Sequence, residues 1–134
     1  MGLMQMTVRG LFNFLRNVFI LDTGLTISAT VMNKELVTNI KKAKIPTIMT
    51  TNAGTKILDT EASIPNFGRA MLDASQSANV LGFLDLIENF RATYNSNEED
   101  AFVVHTNWGP IKFVNQERLY VYEPSENTLN SFKT

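Results

Sequence analysis

The sequence predicts a single, mainly β domain with one short helix in its C-terminal half. Short runs rich in β-branched and aromatic residues recur along the 134-residue chain and alternate with turn residues, which is typical of strands joined by tight connections. The exception is GFLDLIENF at 82–90, where Phe83, Leu86, Ile87 and Phe90 fall on one helical face. A chain of this length is long enough to bury one core, so residues 1–134 are predicted to form one domain.

The strand-like runs follow one another with recognisable turns between them. Tight turns are predicted at Asp22–Gly24 and at Asn52–Gly54, where Gly54 can supply a positive φ, and a further turn at 65–68. Residues 34–42 are predicted to form one or two helical turns, with Asn33 as N-cap and Pro46 as the stop. The predicted strands cover residues 18–21, 26–31, 46–51, 55–64, 91–96, 101–106, 110–114 and 118–123.

The two ends of the chain are harder to interpret from pattern. Within residues 1–17, Leu11, Phe14 and Leu15 fit a helical face, but Gly10 interrupts it and strands dominate nearby, so a strand is preferred for 7–17. Residues 125–134 are predicted to be a flexible tail.

Composition excludes several classes of function. The formal net charge of −1 and the pI near 5.8 do not favour nucleic acid or an anionic membrane as a partner. The apolar stretch 11–25 is interrupted by Asn13, Arg16, Asn17 and Asp22, so it does not predict a membrane span. Because cysteine is absent, disulfides and thiolate chemistry are excluded.

One carboxylate stands out by its surroundings. Residues 20–26 read ILDTGLT, so Asp22 follows a hydrophobic run and precedes a Thr and a Gly. Backbone N–H groups of such a turn can hold a carboxylate in place without neutralising it, which suits acid–base chemistry on water. Asp22-Thr23-Gly24, followed by Thr26, resembles the active-site motif of aspartic proteases.

Further along the chain, two more segments extend this resemblance to the retropepsin-like proteases. Val80-Leu81-Gly82 resembles the hydrophobic-hydrophobic-Gly segment that packs beneath the catalytic loop, and Asn52, Ala53, Gly54 and Thr55 stand where that family carries its flap. The order of NKELVTNIKKAK, TTNAGT, IPNFGRAMLD and SANVLGFLDL is most similar to the protease segment of copia-type retrotransposon polyproteins. Two features depart from the pattern: Leu25 replaces the usual Ala or Ser, and a long segment follows the helix.

The resemblance implies a closed β-barrel that acts as a homodimer and an endopeptidase that processes a polyprotein. Asp22 would be catalytic, Thr23, Gly24 and Thr26 would support its loop, and no cofactor or metal would be needed. The substrate would be a peptide or polyprotein, in the cytoplasm or within a retrotransposon particle. The alternative is a domesticated or inactive relative that serves as a dimerisation or peptide-binding module. Only one Asp-Thr-Gly occurs in the chain, so the second carboxylate of the catalytic pair would come from a second copy.

Other polar residues are interpreted as structural. His105 is the only histidine, so it predicts a hydrogen-bonded strand residue rather than a metal site. Glu98 to Asp100 are predicted to form a solvated turn, and Asp59, Asp73 and Asp85 to be surface charges.

Overall fold

The structure, a computed structural model, describes residues 8–22, 29–52 and 54–124. Two helices and ten strands follow one another along these residues, with a 3₁₀ turn at Lys34–Leu36. The helices are α1 (Val8–Arg16) and α2 (Phe83–Asn89). The strands are β1 (Phe19–Asp22), β2 (Ala29–Val31), β3 (Thr38–Thr51), β4 (Gly54–Ile64), β5 (Gly68–Leu72), β6 (Asn79–Gly82), β7 (Arg91–Tyr94), β8 (Ala101–Thr106), β9 (Gly109–Gln116) and β10 (Leu119–Tyr122).

All ten strands form one mixed sheet in the order β3-β4-β5-β2-β6-β1-β10-β9-β8-β7. The centre is mixed: β6 runs parallel to β1 and antiparallel to β2, while β5 runs parallel to β2. From β7 to β10 the chain is an antiparallel meander. The mainly β prediction is therefore confirmed, and so is the short helix in the C-terminal half.

The predicted closed barrel is wrong, because the sheet is open. Side chains from its two arms do meet, as when the ring of Phe67, after β4, lies 6.4 Å from that of Phe113 in β9. However, among the described residues β3 and β7 end the strand order and do not pair with each other. The free edge β3 carries lysines and Pro46, and these residues disfavour pairing with another strand because they add like charge and remove a backbone donor.

Two sequence-based assignments are corrected. The strand preferred for 7–17 is wrong, because α1 is an amphipathic helix whose apolar residues Leu11, Phe14 and Leu15 share one face. The helical turns predicted for 34–42 shrink to the 3₁₀ turn, although Asn33 does cap it by accepting a hydrogen bond from the Glu35 N–H. Pro46 does not end a helix, since it lies inside β3, within the register shift of the β3–β4 pair between Lys42 and Thr47.

The core is built from side chains that alternate along the strands, one buried and the next less buried. In β1, Phe19 and Leu21 are buried, while Ile20 is half-buried and Asp22 exposed. The core also takes Leu86 from α2 and Phe113 from β9, so both arms of the sheet enclose one cluster. The main core cluster consists of Phe19, Leu21, Ala29, Val31, Leu36, Val37, Ala62, Ile64, Ala70, Leu81, Leu86, Val104 and Phe113.

The turns predicted at Asn52–Gly54 and at 65–68 are confirmed, whereas Asp22 of the turn predicted at Asp22–Gly24 belongs to β1 and the rest of that turn lies outside the described residues. Gly54 has φ of 121°, a value that favours glycine, and it pairs with Thr51 at the tip of the β3–β4 hairpin. Residues 65–67 form the turn before β5. Among the described residues, neither helix has the length and apolar character needed to cross a bilayer. The predicted tail at 125–134 and the first seven residues lie outside the described residues.

Candidate active site

Asp22 is the last residue of β1, and its surroundings are set by strand pairing. β6 lies between β1 and β2, although β1 and β2 are consecutive in the chain. In the parallel pairing of β1 with β6, Asp22 is the register partner of Gly82, which is buried. The Asp22 residue itself is exposed at the end of its strand. An exposed carboxylate therefore stands opposite a residue that has no side chain.

The other residues of the predicted catalytic loop lie outside the described residues. Thr23, Gly24 and Thr26 fall in 23–28, between β1 and β2, and Ala53 of the flap candidate is also outside. Of this part of the chain, the structure therefore describes β1 before residues 23–28 and β2 after them.

The three residues of the predicted loop-packing segment play distinct parts. Leu81 is buried in the core, while Val80 is half-buried on the opposite face of β6. Because Val80 is the register partner of Ile20, it shares a strand face with Ile20 and Asp22. Val80 and Gly82 are two residues apart, which corresponds to about 7 Å along the strand. Asp22 and Val80 are therefore brought onto one open surface.

The flap candidate forms the tip of a long hairpin. Strand β5 pairs with residues 61–64 of β4, so the part of the hairpin from Lys42 to Thr60 extends past β5. Asn52, Gly54 and Thr55 are exposed at its tip. The hairpin contacts the loop that precedes β6, and β6 is the strand paired with β1.

An open groove lies between the hairpin and β6. Its volume is about 320 Å³. Val80 contributes to its wall, so the groove reaches the face of β6 that also borders Asp22. The lining residues are Lys56, Ser75, Gln76, Ser77, Ala78 and Val80.

The hairpin contacts the loop after β5 at two points. The Nζ of Lys56 donates hydrogen bonds to Asp73 Oδ2 at 3.2 Å and to Ser75 Oγ at 3.0 Å. Its register partner Met49 accepts a contact from Gln76 Nε2 at 3.9 Å. We call these contacts of Lys56 and Met49 with residues 73–76 the hairpin latch.

Asp73 is more than the surface charge predicted from sequence. Its side chain is only 10% exposed, and its Oδ1 accepts hydrogen bonds from the Ser75 N–H and Oγ. Burial raises the pKa of Asp73, but the bonds from Ser75 and Lys56 outweigh it, and the net pKa lies below the ordinary 3.8. The latch therefore holds an ionised carboxylate at neutral pH.

Asn79 is a residue whose role sequence reasoning missed. Its side chain is fully buried at the start of β6. Its Oδ1 accepts hydrogen bonds from the backbone N–H groups of Met32 at 2.9 Å and Asn33 at 3.2 Å. The available signal was a polar residue directly before the apolar Val80-Leu81-Gly82, where burial of the neighbours implies burial of the amide.

The nitrogen of the same side chain reaches the other side of the site. Asn79 Nδ2 lies within hydrogen-bond distance of three backbone carbonyls, those of Leu15 at 3.2 Å, Arg16 at 3.0 Å and Val18 at 2.9 Å. The described buried side chains leave no polar atom without a partner. One amide therefore joins the end of α1, the entry to β1 and the exit from β2.

A second polar cluster lies far along the sheet. Asp100 Oδ1 accepts hydrogen bonds from the hydroxyls of Tyr94 at 2.7 Å and Tyr120 at 2.8 Å, and Oδ2 accepts one from Asn115 Nδ2 at 2.6 Å. These bonds lower the pKa of Asp100, the largest contribution coming from Tyr94, and the bond to Asp100 raises the pKa of Tyr94 to about 12. The predicted solvated turn is thus an ordered junction of β7, β9 and β10.

The remaining candidates stay structural. His105 lies in β8, and its Nε2 is 2.9 Å from Thr93 Oγ1 of the neighbouring strand. Within residues 8–22, 29–52 and 54–124, no three carboxylate or imidazole side chains come together to hold a metal ion.

Comparison with protein-family models, with curated proteins and with solved structures finds no significant match for this chain. The geometry described above is therefore the basis for the functional conclusion.

Proposed function

We propose that this chain is an aspartic endopeptidase of the retroviral and retrotransposon type, active as a homodimer. Water would be activated between the Asp22 carboxylates of two copies, one accepting a proton from the water while the other donates to the peptide carbonyl. The shared proton belongs to the pair, because two close carboxylates cannot both ionise. Processing of a polyprotein is the role that fits this chemistry and the sequence resemblance.

The observation that carries the proposal is that Asp22 shares a strand face with Val80, which lines the groove. The carboxylate is exposed, opposite the side-chain-free Gly82, and on the same open face as the Val80 wall of the groove. Backbone can approach closely at a glycine, so a loop or a substrate can lie near the carboxylate without a clash. An exposed carboxylate on the same strand face as a groove-lining residue suits hydrolysis of an extended peptide.

The hairpin supports the same proposal. Lys56 lines the groove, its register partner Met49 contacts Gln76 of the groove wall, and Asn52, Gly54 and Thr55 are exposed at the tip of the same hairpin. The hairpin is held to the body by the buried contacts of Ala43 and Leu58 with Met71 and by the latch, so its exposed outer part is the part that can close over a substrate and exclude water from the reaction.

The requirement for a second copy follows from the count of motifs. Asp-Thr-Gly occurs once in the sequence, and one carboxylate cannot act as base and acid in the same step. A two-fold axis brings the same loop of two subunits together without a second motif.

A peptide-library cleavage assay between about pH 4 and 7 tests the proposal, comparing the parent chain with Asp22→Asn. The variant keeps the shape of the side chain but cannot share a proton, so cleavage should vanish while the unfolding midpoint is retained. Dilution of the parent below its dissociation constant should reduce activity more steeply than linearly, and an excess of Asp22→Asn should poison it.

Cleavage at the parental rate by Asp22→Asn, or by a strictly monomeric species, would refute the proposed mechanism. A folded parent chain that binds peptides but does not cleave them would instead favour the inactive, peptide-binding alternative.

A further inference from the structure

Asn79 and Asp22 lie on the same pair of strands, at opposite ends of their shared register. Asn79 is the partner of Phe19 at the first rung of the β1–β6 pairing, and Gly82 is the partner of Asp22 at the last. A shift of β6 at one end therefore changes the residue that faces Asp22 at the other end. The rung at Asn79 sets the alignment of the candidate active site.

The hydrogen bonds of Asn79 fix that first rung from both sides. Val18, whose carbonyl accepts from Nδ2, directly precedes β1, and Met32, whose N–H donates to Oδ1, directly follows β2. These are the outer ends of the two strands that lead into and out of 23–28. The side chain of Asn79 therefore ties the outer ends of β1 and β2 to the start of β6.

We propose that Asn79 is a positioning residue for Asp22, and this inference rests on the proposed function. The amide would hold β6 in register so that Gly82, and no residue with a side chain, stands opposite the carboxylate. Two carboxylates can share a proton only when each is held close to its productive position, so a small displacement in both subunits would reduce the rate strongly.

Asn33 provides a matched control in the same network. It is also a buried Asn, 2% exposed, and its Nδ2 also donates to the Arg16 carbonyl, at 2.9 Å. Its side-chain bonds reach Arg16, Asn17 and Glu35, none of which belongs to β1, β2 or β6. A purely structural role predicts similar effects at Asn33 and Asn79, whereas a positioning role predicts an effect at Asn79 alone.

The experiment measures kcat and KM of the full chain for one cleaved peptide in Asn79→Asp, Asn79→Ser and Asn33→Asp. In Asn79→Asp the carboxylate accepts but cannot donate to the three carbonyls, and in Asn79→Ser the shorter side chain leaves room for water. Each variant is first shown to be folded and dimeric. We expect kcat of the Asn79 variants to fall about 10- to 100-fold with KM within about twofold, and Asn33→Asp to stay near the parent. The pH profile of kcat/KM should also change in the Asn79 variants only, since it reports the paired carboxylates.

Equal losses at Asn33 and Asn79, or a parental kcat in a folded Asn79 variant, would overturn the inference. A second measurement separates it from the proposed function, namely amide hydrogen exchange of residues 19–22 and 79–82. If the parent chain cleaves nothing, the protease proposal fails, and exchange decides the role of Asn79. Faster exchange in these strands for the Asn79 variants but not for Asn33→Asp supports control of the register, and unchanged exchange refutes it.

Discussion

The central strands and the distal half of the β3–β4 hairpin bury very different fractions of their apolar side chains. Leu81 in β6 is 1% exposed, whereas the cross-strand pair Ile48 and Ile57 on the hairpin are each 69% exposed. Polar groups differ in the same way. Asn79 is bonded on both of its polar atoms in the interior, while the ion pair between the hairpin and Asp73 has a lysine side chain that is 44% exposed.

This difference in burial implies a difference in local stability between the two regions. Buried contacts and enclosed hydrogen bonds make local opening costly, so the strands around Asp22 belong to the most stable part of the fold. The outer part of the hairpin has exposed apolar residues and solvent-screened contacts and therefore opens at less cost, while Ala43 and Leu58 nearer its base are buried with Met71. The strands around Asp22 and the outer part of the hairpin thus differ in local stability.

The largest contrast should appear on truncation of one apolar side chain in each region. Phe19 is fully buried and stacks near Tyr122 at 6.2 Å, so Phe19→Ala should lower the free energy of unfolding by about 3–5 kcal/mol. Ile48→Ala removes an exposed side chain and should change it by about 0.5 kcal/mol or less. Urea unfolding at matched protein concentration measures both, and similar values for the two variants would contradict the assignment.

A smaller effect is expected when a side chain is added opposite Asp22. Gly82 has φ of −73° and ψ of 119°, a conformation that valine adopts readily, so Gly82→Val tests packing without backbone strain. Overpacking of this buried position should cost about 1–3 kcal/mol. Thr55→Val on the exposed hairpin is the control. An unchanged unfolding midpoint for Gly82→Val would argue against close packing at this rung.

Breaking the hairpin latch should alter local opening more than global stability. Lys56→Met removes the bonds to Asp73 and Ser75, and Lys41→Met removes the 3.7 Å ion pair with Glu61 nearer the base as a control. We expect faster amide exchange in residues 47–58 for Lys56→Met alone, with a global loss below about 1 kcal/mol. Equal exchange in both variants would show that the latch does not restrain the hairpin.

The latch should also weaken in acid. Because folding lowers the pKa of Asp73 below the ordinary 3.8, its stabilisation is complete above that value and is lost as the pH falls through the folded pKa. Exchange of the hairpin amides, corrected for the intrinsic effect of pH, should rise in that range for the parent but not for Asp73→Asn. An identical pH response in both proteins would contradict this assignment.

The smallest effect on stability is expected at the exposed cluster around Asp100. This cluster tests whether hydrogen bonds between exposed side chains can shift pKa values without burial. The pKa of Asp100 is lowered and that of Tyr94 is raised to about 12, so the cluster contributes its full stabilisation between pH 3.8 and pH 10.0. This stabilisation is lost as the pH falls through the folded pKa of Asp100 or rises through that of Tyr94. Ultraviolet titration should show the pKa of Tyr94 falling from about 12 toward its ordinary 10.0 in Asp100→Asn, because Asp100 is the largest cause of the increase. Retention of the high pKa in that variant would refute the assignment.

The parts of the fold that were predictable from sequence are those with local causes. Gly54 marked its hairpin because a positive φ is a property of one residue, and the spacing of Phe83, Leu86 and Phe90 marked α2. The helix α1 is not predictable from its pattern, which fits both a strand and a helix, and Gly10 disfavours a helix without preventing one. Pro46 was read as a stop, but an edge strand tolerates a residue that lacks an N–H donor.

The open sheet and the polar contacts depend on distant residues. Whether β3 meets β7 is decided by how far the sheet curls, and no run of residues encodes that directly. Asn79 and Asp73 have ordinary local sequences, and their roles arise from partners such as Val18 and Lys56 that the fold brings close. Asp22 and Gly82 were singled out separately, and the pairing of β1 with β6 makes them neighbours.

The pairing of strand β1 also determines when this strand can fold during synthesis of the chain. Both of its neighbours are encoded far downstream, since Phe19 pairs with Asn79 on one side and with Tyr122 on the other. Such distant pairing makes folding slow, because the intervening chain must lose its freedom first. A ribosome must therefore release residues up to Tyr122 before the strand that ends in Asp22 is complete. Within a longer translation product, the strand surroundings of Asp22 would be complete only after the whole domain had emerged.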